Sequence, residues 1–295
     1  MRVSNNLMAN TIAGNISKSS ERLLMAQIRV STQKLINKPS DDPIGIGKVL
    51  DYRKTLSSIE QYKNNIAHGK TRIEVGETAL GLIDELLIDA KNIAMDQSVG
   101  SSETPSREVA AEQVKEIREQ ILQLINTKMG GSYIFAGQQT DKPAFLDDGS
   151  YDGDPEGISI VVGEGINIKI NLTGEEIFPS VAGINVFNVL DDLQAGLEAD
   201  PYVMADIADQ AAPLHEAHER VNDVRAFAAS KFTRLELAEN TLNKLKLNVE
   251  NMLSSTEDAD LAEAIVELQR QETAYEVTLA SSARIIQPNL LNFLR

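Results

Sequence analysis

The chain has 295 residues, which at about 150 per domain suggests roughly two domains. Its 28 Lys plus Arg stand against 44 Asp plus Glu, a net charge of −16 that argues against nucleic acid and anionic membrane surfaces as partners, since both need a basic face. The chain has no Trp, which leaves little for base stacking, and no Cys, which removes disulfides, thiolate catalysis, zinc–thiolate sites and iron–sulfur clusters together.

The first ten residues are amphipathic and contain no apolar stretch of signal-peptide length. No segment is apolar enough to span a membrane. From targeting signals alone the expectation is a cytoplasmic protein. Met8, Ile12, Leu23, Ala26 and Val30 mark one helical stripe. The segment Lys38, Pro39, Ser40, Asp41, Asp42, Pro43 breaks it. Asp42 ahead of Pro43 suits an N-cap followed by proline at the first helical position.

A long seam follows. Tyr52, Ile59, Ile66, Ile73, Leu80, Leu87 and Ala94 recur every seven residues. Tyr62, Gly69, Gly76, Ile83 and Ala90 form the second row of an a/d pattern. The two glycines weaken the helix locally, and on a seam they let a neighbouring backbone approach. A third helix is expected over 105–128, with Thr104 as N-cap and Gly130–Gly131 as its stop. Residues 130–183 hold ten of the 18 glycines. Within them Ile158, Ile160 and Val162, then Ile166, Ile168, Ile170 and Leu172, alternate with period two and predict two strands turning near Gly163–Gly165. Thirteen acids and two Lys fall between 141 and 200. This acidic insert is expected to pack on itself.

Leu214, Ala217, Val221, Val224, Ala228, Lys231, Leu235, Ala238, Leu242, Leu245, Val249 and Met252 alternate by threes and fours, with Lys231 the one polar member. A rod of that span is about 58 Å long and wants a helical partner, which 52–94 supplies. Ser254 with Glu257 reads as a capping box for the last helix, whose stripe is Leu261, Ile265, Leu268, Tyr275, Leu279, Ile286, Leu290 and Phe293. The predicted fold is mainly α: a long antiparallel coiled-coil bundle built from both chain ends, with a small inserted β-rich domain. The end helices are expected to join the rods only loosely.

Chemistry is sparse. His215 and His218 are three apart, not the four of a zinc-protease helix, and read as polar flanks of the seam. The loop from Asp148 to Glu156 matches early positions of a calcium loop but has Ser159 where a bidentate Glu belongs, so it reads as an acidic turn. Gly163-x-Gly165 lacks a third glycine and a following helix. No catalytic, metal or cofactor-binding set emerges, and no cofactor is expected.

Four blocks resemble the flagellin superfamily, in its hook–filament junction branch. They are Met1-Arg-Val-Ser-Asn5; Ser31-Thr-Gln-Lys34 running into Asn37-Lys-Pro-Ser-Asp-Asp-Pro43; Gly131-Ser-Tyr-Ile-Phe-Ala-Gly137 with Thr140-Asp-Lys-Pro-Ala-Phe145; and Glu257-Asp-Ala-Asp260 through Gln287-Pro-Asn-Leu-Leu-Asn-Phe-Leu294. The resemblance covers about 1–145 and 205–295.

The resemblance implies a structural, non-enzymatic subunit of the bacterial flagellum. It implies a terminal assembly domain (1–40 with 256–295), a helical rod domain (43–130 with 203–254) and an outer insert (131–202). The assembly interface would be Met8, Ile12, Leu23, Val30, Leu261, Ile265, Leu268, Tyr275, Leu279, Ile286, Leu290 and Phe293. Pro39, Ser40, Asp41, Asp42 and Pro43 would form the joint. The rod seam would be Ile59, Ile66, Ile73, Leu80, Leu87, Leu235, Leu242, Leu245 and Val249. Implied partners are further copies in a ring-like layer, the hook-side junction protein, flagellin, the type III export apparatus and an export chaperone on the C-terminal helix. The protein would be secreted. Two alternatives are flagellin itself, whose usual Glu and Gln are missing from Lys91–Asp96, and a coiled-coil secreted tip or adhesin protein. An enzyme housed in the insert lacks any candidate nucleophile, base and metal set.

Overall fold

The computed structural model describes residues 2–99, 104–179 and 185–286. The elements in chain order are α1 (Arg2–Thr32), α2 (Pro43–Gln97), α3 (Thr104–Ile125), β1 (Lys128–Met129), β2 (Ser132–Tyr133), β3 (Ser159–Gly163), β4 (Ile166–Lys169), α4 (Gly174–Ile177), α5 (Val186–Glu198), α6 (Met204–Glu257) and α7 (Leu261–Ile286). The chain divides into two compact units. One joins residues up to Ser58 with those from Lys244 onward, and the other is Ile59–Asn243.

In the larger unit α2 and α6 run antiparallel. Lys70 pairs with Glu239, Glu77 and Asp84 with Arg225, and Lys91 approaches His215, so numbers rise on one helix as they fall on the other. Ile59, Ile66, Ile73, Leu80 and Leu87 are buried on α2, with Leu235 and Leu242 on α6. Val249 is buried in the other unit. Leu245 departs from its predicted place, being 43% exposed. It lies on the row of Lys231, and that row loses cover along the helix: Lys231 is buried, Ala238 half-buried, Leu245 and Met252 exposed.

The insert packs on α2 and α6 as well as on itself. Its strands β3 and β4 form an antiparallel hairpin with an irregularity between Val161 and Gly163. Val162, Ile168, Ile170 and Leu172 join the same core cluster as the α2 and α6 seams. Gly69 of α2 is where they meet. A methyl group there would come within 2.8 Å of Ile160 and 3.0 Å of Ile170. The glycine therefore admits side chains of the hairpin, not a backbone. The α2 and α6 side chains also hold the inserted segment by its main chain. Arg72 donates to the carbonyls of Tyr133 and Ile134, Lys231 to that of Asn171, and Asn65 to that of Val161.

One further local reading is corrected, and one helix appears that the sequence reading did not anticipate. Gly130 and Gly131 do not stop α3, which ends at Ile125. They make the two-residue turn between β1 and β2, both at positive φ, as a tight hairpin with the right twist requires. And residues 186–198 are helical. Asn185 caps α5, its side chain accepting from the N–H of Phe187 and Asn188, and Val186, Leu190, Leu193 and Leu197 face inward. The helix packs on α3, where Arg118 pairs with Asp191 at 2.6 Å. Phe145, Tyr151, Phe178 and Phe187 form an aromatic cluster with ring centroids 5.3–6.2 Å apart.

Candidate assembly interface

In the smaller unit α1 packs against α7. The end of α1 adjoins the start of α7, because the N–H of Ala259 donates to the carbonyl of Gln33 and Lys34 bridges Asp258. The two helices therefore run antiparallel. The inner face of α1 is Ile12, Ile16, Ser19, Leu23, Ala26 and Val30, all buried or half-buried at spacings of four and three. The inner face of α7 is Ala264, Leu268, Gln271, Tyr275, Thr278 and Ser282, on the same spacing. Such a repeat is a coiled-coil seam.

Of the predicted interface residues, Ile12, Leu23, Val30, Leu268 and Tyr275 lie on this seam. Leu261, Ile265 and Leu279 do not. They sit on the adjacent row and are exposed, as is Met8. Ala264 and Ser282 are buried on the α7 seam between the larger Leu268 and Tyr275. Ile286 is the last residue of α7, and Leu290 and Phe293 fall outside the described residues.

Each helix also carries a second row on its far side. On α1 it includes Leu7, Met25 and Ile28, separated by Thr11, Gly14, Lys18 and Glu21 at the same spacing. Leu7 is 71% exposed. On α7 it runs through Val266, Arg270, Thr273 and Val277, the last 58% exposed. A position two residues along a helix is turned by about 200°, so these rows lie nearly opposite the α1–α7 seam. The far faces are mixed in character, with exposed apolar side chains set among polar and charged ones.

The joint beside this pair is tightly fastened. Lys38 to Asp41 form a turn containing Pro39 and Ser40, with the Asp41 carboxylate accepting from the N–H of Asn37 and Lys38. The Asp42 carboxylate accepts from the N–H of Ile44 and caps α2, which starts at Pro43. The Ser254–Glu257 capping box is not formed, since α6 continues to Glu257. Asp260 caps α7 instead, accepting from Ala262 and Glu263. Glu257 carries a different role. Its carbonyl accepts from the N–H of Leu35 and Ile36, and its carboxylate accepts from Lys34 Nζ and Arg53 Nη2, each at 2.5 Å. The connectors are thus paired, against the expectation of loose joints.

A polar layer crosses the larger unit. Asp84 lies between His218 Nδ1 at 2.6 Å and Arg225 at 3.3 Å, with Asn222 donating to the same carboxylate. His215 stacks on His218 and faces Lys91 and Glu219. Among the described residues no group of three His, Asp or Glu side chains is placed to hold a metal. At the tip of the insert, the Asp148 carboxyl is held below its usual range by hydrogen bonds from the side chain and backbone of Ser150.

Residues 3–140 match the bacterial flagellin N-terminal helical region, and residues 212–294 match the bacterial flagellin C-terminal helical region. Flagellar hook-associated protein 3 of Escherichia coli is 26% identical over 300 residues, covering 94% of this chain and 95% of that protein. Its namesake from Salmonella typhimurium is 25% identical over 252 residues, covering 85% of this chain and 78% of that one. A solved structure described as a flagellar hook-associated protein, from Vibrio parahaemolyticus, superposes with a TM-score of 0.70 at 26% identity, covering 74% of this chain and 100% of that one. The chain belongs to the flagellin family, whose members are structural components of the bacterial flagellum.

Proposed function

We propose that this chain is the flagellar subunit that joins the hook to the filament and on which flagellin assembles. The observation that carries the reading is the antiparallel α1–α7 seam, which leaves exposed apolar side chains on its outer faces, among them Leu7 and Met25 on α1 and Ile265, Val266 and Val277 on α7. In an assembly, copies in a ring-like layer cover those faces, with the hook-side junction protein below and flagellin above. The terminal pieces 1–40 and 256–295 form the assembly layer, 43–130 with 203–254 the rod, and 131–202 the outward insert. The subunit leaves the cell through the type III export apparatus, escorted by a chaperone on its C-terminal helix. It works by packing and has no catalytic role. The higher identity to hook-associated protein 3, 26% against 22% for a flagellin of Listeria monocytogenes that spans the same length, supports this reading over flagellin itself.

The test is electron microscopy of flagella from cells lacking the chain. Hooks without filaments, with flagellin free in the medium, support the junction role. Normal filaments refute it.

A further inference from the structure

The joint holds one side chain that the assembly reading does not use. The Glu257 carboxylate is 5% exposed and is shared by Lys34, from the connector after α1, and Arg53, from the third turn of α2. Its own backbone ends α6 and takes the N–H groups of Leu35 and Ile36. One residue therefore ties three segments: the exit of α1, the beginning of α2 and the entry to α7. Gln33 just before it is in the left-handed region at φ 59°, unusual for a residue with a side chain. The chain accepts that conformation where Gln33 accepts the Ala259 N–H and the next residues reach Glu257.

We propose that Glu257 is a positioning residue for assembly: an ionic clasp that sets the direction in which the α1–α7 pair leaves the first turns of α2 and the last turn of α6. This rests on the junction reading above. The physical case is the asymmetry of burial. The two cations are partly exposed, with side-chain exposures of 38% and 49%, and can rehydrate if released. The carboxylate cannot, so leaving it without a cation is the costly event. Backbone pairing alone allows the connectors to pivot. The carboxylate adds two fixed points, one on each side of the turn at Pro39.

The asymmetry gives a test that a merely space-filling Glu257 fails. Hydrogen exchange at Leu35, Ile36 and Ala259 is measured in the full chain. Glu257→Gln should raise exchange there about tenfold while leaving residues around Ile66 and Leu87 unchanged. The Lys34→Met, Arg53→Met double variant should be worse, because a buried charge is left unpaired. Adding Glu257→Gln to that double variant should then restore protection toward the level of Glu257→Gln alone. A triple variant no better than the double overturns the clasp. The same variants are expressed in cells lacking the chain. Glu257→Gln should cut incorporation at the hook tip at least tenfold with an unchanged melting curve, and wild-type incorporation despite loosened connectors overturns the positioning role. If the wild-type chain itself restores no filaments, the junction reading falls and exchange alone judges the clasp.

Discussion

Lys231 donates from a side chain that is 4% exposed to the backbone carbonyl of Asn171, at 2.8 Å. A seam position of α6 thus holds the main chain just after β4, where a heptad would place an apolar residue. Arg72 does the same from α2, toward Tyr133 and Ile134. The two helices thus hold the insert by main-chain carbonyls in addition to the side chains it packs into their core.

This anchoring has a pH signature. Burial pushes the Lys231 ammonium down to about 8, partly offset by Glu176 and reinforced by Lys169. The ordinary value is 10.5, so between these values the unfolded chain binds more protons than the folded one. Stability from this group therefore rises with pH through that window, and the penalty is fully present below it. The upper bound of the rise is about 3 kcal/mol. Denaturant titrations at pH 7 and 10 should show Lys231→Met lacking this gain relative to wild type. An equal pH response of the two proteins would remove the assignment.

Two seam glycines should respond in opposite ways to alanine. Helix propensity favours Ala over Gly by about 1 kcal/mol. At Gly76 the nearest atoms to a new methyl are 3.7 Å away, so Gly76→Ala should raise the melting temperature. At Gly69 the methyl would meet Ile160 at 2.8 Å. Overpacking typically costs about 1–3 kcal/mol, so Gly69→Ala should lower it. Calorimetry of the two variants decides.

Leu242 and Leu245 are three residues apart on α6 with exposures of 7% and 43%. Truncating a buried Leu costs about 2–5 kcal/mol. Leu242→Ala should fall in that range and Leu245→Ala below about 1 kcal/mol, as measured by urea unfolding.

The long-range plan of the chain was legible because it is written in repeats. Seven-residue spacing from Tyr52 to Ala94 and three–four spacing from Leu214 to Met252 survive as α2 and α6. What failed has local causes. Composition drew attention to glycine and acid in the insert, and hid the 3.6-residue period of Val186, Leu190, Leu193 and Leu197 that makes α5. Gly130–Gly131 serves equally as a helix stop or a hairpin turn, and only the pairing partner Tyr133 decides between them. On α7 the predicted stripe is divided: Leu268 and Tyr275 face α1 together with Ala264 and Ser282, while Leu261, Ile265 and Leu279 are exposed in the single chain. Sequence periodicity shows that a face is apolar; which face a given neighbour takes depends on how closely the backbones approach. Glu257 was read as part of a cap, since nothing local marks a carboxylate that is shared with Arg53 two hundred residues earlier.

On the proposed junction role, the exposed apolar side chains Met25 of α1 and Val277 of α7 serve assembly and not the fold of the single subunit. The direct measurement is electron microscopy of flagella from cells whose only copy carries Met25→Asp with Val277→Asp, alongside a melting curve of the purified variant. Both side chains are exposed in the single chain. The expected result is a melting curve within a few degrees of wild type together with hooks that bear no filaments. Filaments of normal number and length on this variant would contradict the account.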